Sequence, residues 1–151
     1  MSDWIQVKGI VKQGYGVASG LGGDPRFPQG TIRLQLPFFE ARGLKLDEYF
    51  PGTINVSIAP HAYTIKQAKH TFKTVKWSPN SPAEDFSFFD CRLLLSTGQR
   101  LNGLIYYPHP ETKPEHFQSA DVLEIITTPI ESLQYGDALT LEVDRHQIAI
   151  A

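Results

Sequence analysis

A hydroxyl and a carboxamide two residues apart, Thr53 and Asn55, lie in the run Pro51-Gly52-Thr53-Ile54-Asn55-Val56-Ser57-Ile58. Pro-Gly starts a turn, and the alternation of Ile54, Val56 and Ile58 predicts a strand with those side chains toward a core. Thr53 and Asn55 then share the polar face, where both oxygens can reach one hard cation. Such a pair suits Mg²⁺, which takes oxygen ligands and keeps water or phosphate in its other positions. Taken alone, the run is better explained as a polar strand face bonded to its neighbours.

Three other segments can carry chemistry. Gly14-Tyr15-Gly16-Val17-Ala18-Ser19-Gly20-Leu21-Gly22-Gly23 follows the first predicted strand. Glycines let backbone amides approach a phosphate and form an anion nest. This is no Walker loop, because Gly-Lys-Ser/Thr is missing, and no dinucleotide fingerprint, because no helix is predicted after it. A flexible glycine-rich loop is the plainer explanation. The second segment, Tyr106 to Gln118, concentrates His109, Glu111, Lys113, Glu115 and His116 between prolines 108, 110 and 114. Lys113 can meet a phosphate, and His109 and His116 can hold a metal with Glu111 or Glu115. The same residues also fit a stiff surface loop whose tyrosines cap the barrel end. The third is Asp121-Val122-Leu123-Glu124-Ile125-Ile126. On a strand, Glu124 faces away from Leu123 and Ile125. A carboxylate among apolar residues can serve as a general base; an exposed glutamate on a half-buried strand is the alternative.

Short alternating runs parted by Gly and Pro must position these groups. Strands are predicted over Ile5–Lys12, Thr31–Leu36, Thr53–Ala59, Phe72–Trp77, Phe89–Leu95, Leu101–Tyr107, Val122–Thr128, Leu139–Val143 and Gln147–Ile150. Short helices are predicted over Phe38–Arg42, closed by Gly43, and Ile130–Tyr135, closed by Gly136. Ser78 to Pro82 reads as a surface loop, and Asp90, Asp121 and Asp137 as turn or edge residues. Gly30-Thr31-Ile32 and Gly52-Thr53-Ile54 echo each other, either as internal barrel symmetry or by chance.

The chain has 151 residues, 41% hydrophobic and 20% charged, enough for one domain, 1–151, with a real core. A net charge of -2 gives no pull toward nucleic acid or anionic lipid. The lone cysteine, Cys91, excludes an internal disulfide framework and sits in an apolar run as a core residue. Met1 to Trp4 carries no signal-like segment, and no apolar run reaches membrane-spanning length. The expected address is the cytoplasm.

The order of segments resembles that of the archaeal CTP-dependent riboflavin kinases. The match runs from about Val7 to Val143, through the glycine loop, Pro51-Gly52-Thr53-Ile54-Asn55, Asn102-Gly103-Leu104-Ile105, Glu124-Ile125-Ile126 and Leu133-Gln134-Tyr135-Gly136-Asp137. The resemblance implies an all-β fold, a six-stranded cradle-loop β-barrel with short extra strands and one or two short helices. It implies transfer of a γ-phosphate from CTP to riboflavin, with Mg²⁺ held by Thr53 and Asn55. Gly14 and Gly16 would cradle the nucleotide, and Glu124 would be the base at the acceptor hydroxyl; Lys113, a nucleotide partner on the residue reading, lies in a loop that is longer and chemically different from the family's. The family loop runs Gly-x-Gly-Glu-Gly, whereas this chain has Gly14-Tyr15-Gly16-Val17-Ala18 followed by an insertion to Gln29. That departure leaves an alternative: a nucleotide- or flavin-binding barrel without kinase chemistry.

Overall fold

The computed structural model describes residues 3–12, 31–50, 52–79, 82–112, 119–130 and 133–151. Nine strands and one helix are assigned among them: β1 (Trp4–Lys12), α1 (Thr31–Glu40), β2 (Ile54–Ser57), β3 (Tyr63–Ile65), β4 (His70–Val75), β5 (Glu84–Leu95), β6 (Arg100–Pro108), β7 (Val122–Thr127), β8 (Ala138–Asp144) and β9 (Ile148–Ile150). The sheet order is β4-β5-β6-β7-β2-β1-β8, and β5 also pairs with β8. Six antiparallel strands, β5-β6-β7-β2-β1-β8, therefore close a barrel, as the sequence predicts. Closure removes the open edges that a flat sheet of this composition would expose. β4 continues one edge of β5, and β3 pairs with β9 as a separate ribbon.

Alternation fills the barrel. Val7, Val56, Phe89, Leu93, Ile105, Leu123, Ile125, Leu141 and Val143 turn inward and form one core. A second core lies outside the wall, where Phe86, Phe88, Leu104, Tyr106 and Ile126 meet α1 through Ile32 and Phe39. The two cores explain why β5 is buried on both faces around Phe86–Phe89. Cys91 is buried in the inner core, as expected, and burial pushes its thiol well up from the ordinary range.

Thr31–Leu36 is not a strand but the first part of α1. Ile32, Gln35 and Phe39 are buried, Leu36 is half-buried and Leu34 is 42% exposed, which is helical spacing. The apolar alternation of residues 32, 34 and 36 concealed a face in which a polar residue, Gln35, occupies a buried position. Pro37 also lies inside the helix, a residue that ordinarily argues against one. The predicted helix over 38–42 is the end of the same element. Gly43, at φ 98°, closes it in a Schellman arrangement: Leu44 N–H donates to the Phe39 carbonyl and Gly43 N–H to that of Glu40, both at 3.0 Å. The Gly-Thr-Ile echo is thus no internal symmetry, since one copy opens a helix and the other a strand. A helix does follow the glycine-rich segment in the chain, contrary to the sequence reading.

No helix is assigned to the described residues between Ile130 and Tyr135. Asp137 there builds a turn, its N–H donating to the Gln134 carbonyl and its carboxylate accepting from Gln134 N–H. Gly136 takes the positive φ of 92° that the turn requires. Asp90 is neither turn nor edge: it sits within β5, pairing with Lys69 at 3.0 Å and accepting from Gln147. Among the described residues, no helix is long and apolar enough to cross a membrane.

Candidate functional site

β2 and β7 bring three of the sequence-predicted residues together. Asn55 lies directly opposite Glu124 in the antiparallel register. Thr53, one residue before β2, points to the same face. Its hydroxyl donates to Glu124 Oε1 at 3.3 Å. The diagonal cross-strand relation explains this contact, since neighbours two residues off register still reach each other. All three side chains are half-buried, and the inward positions beside them belong to Ile54, Val56, Leu123 and Ile125.

Glu124 also marks the place where the barrel wall opens. β6 and β7 pair from Gly103 with Thr127 to Tyr106 with Glu124. Beyond that rung the strands part, and a cleft of about 340 Å³ occupies the split. Tyr63 and Ile65 of β3, Tyr107 of β6, Pro110, Val122 and Glu124 line it. Among the described residues Glu124 is the one carboxylate in the lining, beside three phenols, the Thr64 hydroxyl and apolar side chains. The sequence reading missed β3 and with it Tyr63. Its signal was faint: Tyr63 and Ile65 alternate over only three residues.

Tyr106 anchors the cleft from behind. Its hydroxyl donates to Gln35 Oε1 at 2.7 Å in the outer core. Burial pushes the Tyr106 phenol well above its usual range, and Glu124 and Glu84 add to the rise, while the Gln35 bond opposes it. The Tyr63 phenol is raised by burial first, then by Tyr107 and Glu124. Both phenols are thus held as O–H donors. A phenol raised only in the folded state leaves the unfolded chain to ionise first above pH 10.0, the ordinary value. The stability these two phenols contribute is therefore present below that pH and lost as pH rises above it. Urea unfolding at about pH 8 and about pH 11 is expected to show a lower midpoint at the higher pH, and a smaller drop for Tyr106→Phe.

The loop after β6 is built differently from its metal reading. His109 Nδ1 meets Glu111 at 3.1 Å, and its Nε2 meets Ser87 Oγ at 2.7 Å. Both ring nitrogens of His109 thus already have protein partners. His116, Glu115 and Lys113 lie outside the described residues, as do Gly14 and Gly16 of the expected nucleotide loop. Among the described residues, no group of three or more His, Cys, Asp or Glu side chains is gathered to hold a metal. Thr53 and Asn55 are of another kind, a hydroxyl and an amide oxygen beside one carboxylate, Glu124. Their oxygens are hard donors that fit Mg²⁺ and not a soft ion.

No family model, no curated protein and no solved structure matches the chain.

Proposed function

We propose that the protein transfers a phosphoryl group from a nucleoside triphosphate, CTP by resemblance, to riboflavin or a related hydroxylated acceptor. The observation that carries this reading is the meeting of Thr53, Asn55 and Glu124 at the edge of a cleft. Thr53 and Asn55 would hold Mg²⁺. When bound, the ion neutralises charge on the transferring phosphate. A hydroxyl keeps acceptor lone pairs while it donates, so the Thr53–Glu124 bond is compatible with a cation on the Thr53 oxygen. Glu124 would accept the proton of the acceptor hydroxyl. The phenolic and apolar walls would orient a flat acceptor and keep water from the reacting oxygen.

Incubation with riboflavin, Mg²⁺ and each of CTP, ATP, GTP and UTP tests the activity. FMN with at least one donor supports it; no FMN with any donor rejects riboflavin as acceptor. Binding of flavin or nucleotide without turnover would favour the barrel as a binding module. Thr53→Val keeps shape and β-branching but removes the hydroxyl, and Asn55→Leu removes the amide oxygen. Each is expected to weaken Mg²⁺–nucleotide binding about tenfold in calorimetric titration, the scale of one lost hydrogen bond or ligand to a charged group. Unchanged binding in either variant would remove that residue from the ligand set.

A further inference from the structure

Thr71, Ser87 and Tyr107 face one another across β4, β5 and β6. His109 follows two residues after Tyr107 and returns to the same side. Its ring packs edge-on against Tyr107 at 5.0 Å between centroids. Three side-chain hydrogen bonds run in line: Thr71 to Ser87 at 3.0 Å, Ser87 to His109 Nε2 at 2.7 Å, and His109 Nδ1 to Glu111 at 3.1 Å. The backbone fixes the turn that carries them. His109 N–H donates to the Asp85 carbonyl, Thr112 Oγ1 donates to the His109 carbonyl, and Asp85 N–H donates to Thr112 Oγ1.

The bond pattern sets the direction of the chain. An ionised carboxylate only accepts, so in the neutral imidazole Nδ1 must carry the hydrogen toward Glu111. Nε2 is then the acceptor and must take the Ser87 proton. Ser87 Oγ in turn accepts from Thr71. A serine hydroxyl facing a histidine base that a carboxylate orients is the arrangement of an activated nucleophile, recognised by geometry and roles and not by fold.

We propose that Ser87, His109 and Glu111 form a nucleophilic relay that accepts acyl groups from small uncharged esters, a site independent of Thr53, Asn55 and Glu124. Ser87 is 2% exposed, while its partner Thr71 is exposed, which places the reactive hydroxyl one side chain below the surface. Ser87 Oγ attacks the ester carbonyl carbon, and its proton passes to His109 Nε2. The bond from that carbon to the alkoxy oxygen breaks, and the leaving alcohol takes the proton from Nε2. Water then attacks the acyl-serine, with Nε2 again as base, releasing the carboxylic acid and restoring Ser87.

p-Nitrophenyl acetate is the probe, with phenolate release followed by absorbance and the acetylated peptide located by mass spectrometry. Acetyl on Ser87 is expected. His109→Gln should slow its formation about 100-fold, the lower end of what a general base supplies, and Glu111→Gln about tenfold, less than for a buried orienting carboxylate because Glu111 is exposed. The Glu111 side chain is 66% exposed, so Glu111→Gln tests the relay without challenging the fold. Absence of acetyl from Ser87 overturns the proposal, as does acetylation at the wild-type rate in both variants.

Discussion

Phe39→Ala is expected to cost about 3–5 kcal/mol, the range for deleting a buried aromatic ring from a packed core. Phe39 is fully buried and packs among aromatic neighbours from two strands. Its ring lies 6.0 Å from Phe72 and 5.1 Å from both Phe86 and Phe88, with edge-to-face geometry to the last two. Such pairs add to the value of area burial alone. The cavity left by alanine could collapse only if the helix moved toward β5, and Leu44 and Leu46, buried in the same core just after the helix, hold its end in place. Leu34→Ala, on the opposite face of the same helix, should change stability by no more than about 0.5 kcal/mol. Chemical denaturation of the two variants checks both values. Equal losses would contradict the helical assignment of this segment, since a strand with residues 32, 34 and 36 inward would bury Leu34.

Glu124→Gln is expected to lower phosphoryl transfer at least about 100-fold, the lower range for removal of a general base. The substitution preserves the shape and leaves an oxygen to accept the Thr53 hydroxyl, so the β2–β7 contact can persist. Mg²⁺–nucleotide affinity should fall far less than turnover, because Thr53 and Asn55 supply the proposed cation ligands. A rate loss with retained binding separates a proton-accepting role from a holding role. Equal losses in both would make Glu124 a ligand instead. Unchanged turnover would remove it from the chemistry.

The barrel was legible because most of its strands carry clean period-two alternation. Ile54 to Ile58, Leu123 to Ile125 and Leu139 to Val143 each place apolar residues at every second position, as do Val7 and Val11 on either side of Gly9, and these residues fill the inner core. The run 31–36 misled for the same reason: six residues with apolar alternation satisfy a strand template, and Gln35 concealed the helical face. Its burial makes sense only with Tyr106, 71 positions away, whose hydroxyl it receives. No local pattern contains that pairing. The candidate site was partly legible. Thr53 and Asn55 stand in one segment and Glu124 in another, and the β2–β7 register that joins them is a tertiary fact. The walls of the cleft were not legible, because Tyr63 enters from a three-residue strand whose partner, β9, lies at the far end of the chain. The loop chemistry of His109 was also hidden, since Ser87 sits in a strand flanked by phenylalanines that reads simply as core.

Mn²⁺, a paramagnetic stand-in for Mg²⁺, tests the central claim most directly when titrated with CTP into isotopically labelled protein and followed by NMR. The cation site proposed at Thr53 and Asn55 requires that the Asn55 side-chain amide and the Thr53 methyl signal broaden first, at sub-stoichiometric metal. Glu124 should follow, being bonded to Thr53, while the carboxylate of Glu142, which lies opposite Gln6 at the far end of β1 from Lys12, the partner of Asn55, stays sharp. Sharp Asn55 and Thr53 signals, with broadening that begins elsewhere, would contradict it.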